Sequence, residues 1–211
     1  MSKFKPDALI NTAAMTNVDA CEVDRELCWK LNVDAVKYLL DSCERHDVHL
    51  VHLSTDFVFD GENGPYKEDD EPNPLSYYGE SKYAAEQLIQ HSAASWSIAR
   101  TIIVYGVAEK MSRSNIVLWA KEALEKGDPL TIVDDQFRSP TLAEDLAFGF
   151  WLIAQKKATG IYHLSGKDVM SILELVHRVA YFYGYDKSII SPISSSSLNQ
   201  AAKRPPRTGF I

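Results

Sequence analysis

The 211-residue sequence predicts an α/β fold built on a doubly wound parallel sheet with helices on both faces. Three observations carry this. Short apolar runs alternate with longer amphipathic stretches along the chain, the pattern of βαβ units. One run, Val48 to Leu53, is apolar almost throughout, as expected of a parallel strand covered on both faces. Small polar clusters, Asn11-Thr12-Ala13-Ala14 and Ser54-Thr55-Asp56, directly follow two of the runs. In open sheets of this kind ligands bind outside the carboxyl ends of the strands.

In chain order, Ala8-Leu9-Ile10 reads as a short buried strand ending in a tight turn. Val18 to Arg45 reads as one long helix, with Leu27, Leu31, Val36, Leu39 and Leu40 on its apolar face. His49 and His52 lie within the Val48–Leu53 strand. Odd and even strand positions face opposite ways, so these imidazoles diverge and read as structural rather than as a metal pair. Gly61, Gly64, Pro65, Pro72 and Pro74 make Asp60 to Pro74 a loop, and its acids Glu68 to Glu71 read as a solvated face. A helix is expected over Leu75 to His91, then a strand from Trp96 to Val104 closed by Tyr105-Gly106. Asn115 to Lys126 is a helix stopped by Gly127, followed by a strand at Leu130 to Val133. Leu142 to Gln155 is an apolar helix, and Ile161 to Leu164 another strand. Ser171 with Glu174 three residues on reads as a capping box for a last helix ending near Tyr183. A Ser-rich stretch and a basic, Pro-rich tail follow.

The net charge of −7 argues against a nucleic-acid surface, which needs a concentrated positive field. Three cysteines, Cys21, Cys28 and Cys43, are too few and too unevenly placed for a disulfide framework, and no zinc spacing is present. The residues from Met1 to Asp7 have no apolar signal-peptide core. No apolar run approaches a membrane span.

The chemistry sits at Tyr78-Gly79-Glu80-Ser81-Lys82. A Tyr and a Lys four apart share one helix face. A free phenol titrates near 10, and a nearby ammonium favours its phenolate, which would let it exchange protons with a forming alkoxide. The same lysine is placed to hold the ribose of a nicotinamide cofactor. Alone, this spacing arises in many surface helices; Thr55 at the end of a buried strand raises it to a site. Asn32, inside the long helix, is read as holding a water, as positioning Lys82, or as plain burial.

With these residues in place, the chain resembles the extended short-chain dehydrogenase/reductases, specifically the dTDP-4-dehydrorhamnose reductase-like branch. The resemblance rests on Asn11-Thr12-Ala13-Ala14-Met15-Thr16-Asn17-Val18-Asp19, Ser54-Thr55-Asp56-Phe57-Val58-Phe59-Asp60-Gly61, Pro65-Tyr66, Pro74-Leu75 and Tyr78 to Lys82 with Glu86. Downstream it continues through Arg100, Val104-Tyr105-Gly106, Asp135-Gln136, Pro140-Thr141 and Arg204-Pro205. It implies a Rossmann-like sheet that lacks its first βαβ units here, with a small α/β substrate-binding lobe. Residues 1–106 would form the partial dinucleotide-binding region with the catalytic motif. Residues 107–211 would form mainly the substrate lobe, interleaved with the last Rossmann elements.

The resemblance implies hydride transfer from NADPH or NADH to the C4 ketone of a dTDP-4-keto-6-deoxysugar, as in dTDP-L-rhamnose biosynthesis. Tyr78 would donate the proton, with Lys82 as electrostatic partner and ribose ligand and Thr55 as the hydroxyl of the triad. Ala13, Ala14, Thr16 and Asn32 would lie along the cofactor. Asp56, Arg138, Arg204 and Arg207 would serve the substrate, the arginines facing its diphosphate. Magnesium at a subunit interface, a homodimer and a cytoplasmic setting are further implications. Two alternatives stand beside this reading: a non-catalytic regulatory subunit on the same fold, as in methionine adenosyltransferase, and a sugar-nucleotide epimerase or dehydratase. Two departures from the family pattern stand out. No glycine precedes Gly61, so the usual pyrophosphate turn is missing, and weak dinucleotide binding by a fragment is expected. Arg138 stands where the family often has a small residue.

Overall fold

The computed structural model describes residue 1, residues 3–107 and residues 114–211. Strand β1 (Ala8–Asn11) opens the fold. Its successor is not one long helix but a broken one: α1 (Val18–Val23), α2 (Arg25–Trp29), a π-helical turn at Lys30–Asp34 and α3 (Ala35–His46). The break falls at Asp24, whose carboxylate accepts the Leu27 N–H at 3.0 Å and so caps a new helix. Aspartate competes with helix interiors by this kind of bond. The π turn is the wider helical form often found at functional sites, and here it carries the buried Asn32.

The chain then runs through β2 (His49–Thr55), α4 (Tyr77–Gln90) and β3 (Trp96–Thr101). The expected strand over Trp96 to Val104 stops early, because Ile103 takes φ +31° and re-aims the chain into β4 (Val104–Tyr105). Next come α5 (Ile116–Lys126), β5 (Leu130–Val133), β6 (Phe137–Arg138), β7 (Thr141–Leu142) and α6 (Ala143–Lys156). Strands β8 (Gly160–His163) and β9 (Met170–Ser171), helix α7 (Ile172–Tyr183) and strand β10 (Ile190–Ile193) complete the chain's regular structure.

The main sheet has the order β1-β2-β3-β8 with every pairing parallel. Side chains alternate across it. Leu50 joins Ile98 beneath Val36, Leu40 and Cys43 of α3 and Ala85 and Ile89 of α4. One residue on, Val51 joins Ala99 beneath Leu146, Phe150 and Ile153 of α6 on the opposite face. Fully buried side chains such as Leu50, Ile89 and Ile98 each contribute roughly 1.5–3 kcal/mol of transfer free energy. His49 and His52 diverge as expected: His49 bonds Ser95 and Ser97, each at 2.7 Å, while His52 faces α4.

A second core lies away from the sheet, where α5 and α7 cover the parallel pair β5–β10. Strand β10 was not legible in the sequence. It contains Pro192, which cannot donate to a ladder and is tolerated because β10 is an edge. Ser171 caps α7 as expected, accepting the Glu174 N–H at 3.0 Å, but the Glu174 carboxylate pairs with Arg178 rather than closing a capping box.

The tail is a strap rather than loose coil. The Phe137 and Tyr66 N–H groups donate to Pro206 and Gly209, while Thr208 and Ile211 donate back to Phe137 and Tyr66. Gly61 is obligatory beneath it, since φ is +82° and a Cβ there would lie 2.8 Å from Pro205 and 2.9 Å from the Arg207 nitrogen. The acids of the 60–74 loop are not all solvated either. Glu68 accepts the His163 N–H at 3.0 Å, and its carbonyl accepts from Arg100.

Candidate active site

The carboxyl ends of β1, β2 and β3 open onto one cleft of about 380 Å³. Thr12, Ala14 and Thr16 come from the loop after β1, Ser54 to Phe57 from the end of β2 and the turn after it, Thr101 from the end of β3, and Ile103 and Val104 from the link into β4 and its start. Helix α4 contributes Tyr78 and Lys82. Its start is fixed by Ser76, which accepts the Gly79 N–H at 3.2 Å. Gly79 lets that first turn press against β2's loop, because a Cβ would sit 2.3 Å from the Phe57 carbonyl oxygen.

Thr55, Tyr78 and Lys82 thus share one cleft. Thr55 Oγ1 donates to Asp56 Oδ1 and accepts the Phe57 N–H, both at 3.2 Å. Burial raises the Tyr78 phenol above its ordinary value, and the Thr55 hydroxyl pulls the other way. Tyr78 is therefore a neutral phenol near pH 7, with a proton to give. Lys82 departs from expectation. Its ammonium is not aimed at Tyr78 but donates to the Leu53 carbonyl at 2.7 Å and lies 3.1 Å from His52 Nε2. Burial brings Lys82 down to about 8, against the pull of Glu86. Burial, and then Lys82, hold His52 well below the usual imidazole range.

Ala14 and Thr16 line this cleft, while Ala13 lies in an adjoining groove with Asn11, Leu31 and Tyr38. Asn32 does not touch Lys82. Its Oδ1 accepts the Met15 N–H at 2.7 Å and its Nδ2 donates to Ser81 Oγ at 2.9 Å and to the Met15 carbonyl at 3.1 Å. It therefore ties the loop after β1 to α4, one residue from the lysine. Ser54 Oγ is buried without a hydrogen-bond partner among the described residues.

Of the substrate residues inferred from the sequence, Asp56 lines the cleft and the three arginines do not. Asp56 is buried and bound by Thr208 Oγ1, by Thr55 and, at 3.7 Å, by Arg138 Nε. Burial raises its pKa and Arg138 opposes the shift. Arg138 is 2% exposed and spends its remaining donors on the carbonyls of Phe137, Pro205 and Pro206. Arg204 pairs with Asp19 at 2.6 Å. Arg207 is exposed and lies over the Phe137 ring, outside the cleft lining. The arginines that looked like diphosphate ligands are fasteners of the tail strap. Nor is there a group of three or more His, Cys, Asp or Glu able to hold a metal among the described residues, so the magnesium expectation finds no site.

A further buried pair supports α4. Arg100 of β3 grips Glu86 with two bonds, Nε to Oε1 at 3.0 Å and Nη2 to Oε2 at 2.7 Å. His52 is structural by its sequence and Asn11 a member of the polar cluster after β1; their pairing is what sequence reasoning misses. The signal available was a polar residue at the end of one strand and a histidine inside its neighbour, which β1–β2 pairing brings to the same register, Asn11 opposite His52.

The family model of the RmlD substrate binding domain matches residues 1–209. The chain belongs to that family. It is 32% identical to the dTDP-4-dehydrorhamnose reductase of Aggregatibacter actinomycetemcomitans, a match covering 97% of this chain and 72% of that protein. It is 31% identical to methionine adenosyltransferase 2 subunit beta of Danio rerio, over 97% of this chain and 64% of that protein, so it spans less than two thirds of that relative. The crystal structure of dTDP-4-dehydrorhamnose reductase from Bacillus anthracis in complex with NADP superposes with a TM-score of 0.92 at 28% identity, covering 100% of this chain and 73% of that one. The Rossmann-like architecture read from the sequence is thus the architecture of the RmlD family. No helix among the described residues is long and apolar enough to cross a membrane.

Proposed function

We propose that this RmlD-family chain carries the proton-donating half of an NAD(P)H-dependent reductase acting on the C4 ketone of a dTDP-4-keto-6-deoxysugar. The observation that carries this reading is the convergence of Thr55, Tyr78 and Lys82 on one cleft at the ends of three parallel strands. The donor set fits the nicotinamide-ribose end of a dinucleotide: a lysine for ribose hydroxyls, an unpartnered Ser54 hydroxyl, and Ala14 small enough for close approach. Bound there, the reduced nicotinamide supplies the hydride. Tyr78 supplies the proton to the carbonyl oxygen as it becomes an alcohol, and Thr55 holds that oxygen by a second hydrogen bond once its single O–H turns from Asp56.

The test is NADPH consumption on dTDP-4-keto-6-deoxyglucose by the chain and by a version extended upstream in its gene. Tyr78→Phe should cost about 10²–10⁴-fold in turnover while leaving the fold intact. Absence of turnover in both forms, with the fold verified, would favour the second reading, a binding subunit, for which the similarity to methionine adenosyltransferase 2 subunit beta speaks.

A further inference from the structure

Asn11, His52 and Lys82 form a buried chain whose donors and acceptors can be counted. Asn11 Oδ1 accepts the Ala13 N–H at 3.2 Å. A backbone N–H can only donate, so it reads the amide's orientation and leaves Asn11 Nδ2 facing His52 Nδ1 at 3.1 Å. Nδ2 also donates, so His52 Nδ1 must be the bare nitrogen, and the imidazole proton sits on Nε2. That N–H points at Lys82 Nζ, 3.1 Å away. An ammonium has three donors and no acceptor, so this arrangement suits a neutral Lys82 amine that accepts from His52 and donates to the Leu53 carbonyl at 2.7 Å. A charged Lys82 needs the opposite tautomer, with Nδ1–H, and then a rotated Asn11 amide. That rotation puts Asn11 Nδ2 against the Ala13 N–H and breaks that bond.

We propose that His52 is a positioning residue which, through Asn11, couples the proton on Lys82 to the Ala13 N–H of the cleft loop. Either state lets Lys82 bond both His52 and the Leu53 carbonyl, but only the neutral one keeps the loop pinned to Asn11. The loop concerned is the one whose Ala14 and Thr16 line the cleft beside Lys82. Loading of that loop by a ligand therefore changes the lysine's charge, and the reverse. Of the other titratable groups nearby, Tyr78 shares the cleft and is kept protonated by burial, and the rest are committed elsewhere. Glu86 is held by Arg100 through both oxygens, and the Cys28 thiol donates to Ser81 Oγ at 3.4 Å. The buried Lys82 titrates near 8, so both states are accessible around neutrality. The catalytic meaning of the coupling rests on the reductase reading; the coupling itself does not.

The experiment is a pH titration of the isotopically labelled chain by NMR, with no cofactor or sugar added. It follows the His52 ring nitrogens, the Lys82 ε-carbon and the Ala13 amide. The expected result is that all three change together, His52 passing from Nδ1–H to Nε2–H as Lys82 loses its proton. Asn11→Asp supplies acceptors to both Ala13 N–H and His52 Nδ1–H. It should lock His52 as Nδ1–H, raise the proton affinity of Lys82 at least about tenfold, one pKa unit, and silence the Ala13 response. A His52 tautomer that stays fixed while Lys82 titrates in the unaltered chain would overturn the proposal, whether or not the variant folds. Because no turnover is read, failure here leaves the reductase reading untouched, and absence of turnover leaves this coupling intact.

Discussion

Helix α4 buries two charged side chains one turn apart, and they are treated in opposite ways. Glu86 meets Arg100 in a two-bond pair, with both side chains essentially unexposed. Lys82 meets a carbonyl and an imidazole, and no carboxylate touches it. The first arrangement is closed: two guanidinium donors face the two oxygens of one carboxylate. The second is open, and burial pushes the lysine toward giving up its proton. A matched buried pair fixes geometry, whereas an unmatched one leaves a group whose charge can change. The closed pair holds α4 against β3 so that the open one can sit at a defined place in the cleft.

The comparison breaks most severely at the closed pair. Arg100→Met leaves a buried carboxylate without its partner and should cost about 3–5 kcal/mol in denaturant unfolding. Adding Glu86→Leu should recover much of that loss; a double variant as unstable as the single would show that packing, not charge matching, sets the cost. A smaller effect is expected at Gly79, where the new methyl group of Gly79→Ala meets the Phe57 carbonyl. About 1–3 kcal/mol of destabilisation should follow, with α4 displaced from the cleft, readable as lost chemical-shift dispersion at Tyr78. The most gradual effect, spread over pH, sharpens the open side. The folded-state pKa of Lys82 lies below its ordinary 10.5, at about 8. The unfolded chain binds the extra proton between these values, so stability should rise with pH across that window, by at most about 1.4 kcal/mol per pH unit. Lys82→Met should abolish this rise in pH-dependent unfolding curves. A slope that survives the substitution would assign it to another group.

Much of this architecture was legible because it follows from local pattern. The uninterrupted apolar run at Val48 to Leu53 announced a central parallel strand, and Gly127 and Ser171 marked helix ends by their own chemistry. The cleft was legible at the level of Thr55, Tyr78 and Lys82, since strand ends and a four-residue helical spacing place them without knowledge of the rest. What was not legible depends on partners distant in sequence. Nothing local says that Arg138 will serve the carbonyls of Pro205 and Pro206, so a guanidinium beside a presumed phosphate site looked like a ligand. Asp24 was hidden because a single capping bond outweighs an otherwise continuous apolar stripe. Lys82 was read with the wrong partner because sequence spacing gives the shared face of Tyr78 and Lys82 but not the rotamer, and His52 competes for the ammonium from a neighbouring strand.

The strap at residues 205–211 bears on how this molecule acquires its form. Asp56, at the floor of the cleft, is fastened by Thr208, 152 positions later, and Asp19 by Arg204, 185 positions later. Contacts so far apart form late, because loop-closure entropy is spent before they return anything. During synthesis the sheet and its helices can assemble while the cleft floor still lacks its clasp. Residues 204 to 208 finish the pocket only once the sheet beneath them exists, which makes competence for ligand a late event of folding rather than a property growing with chain length.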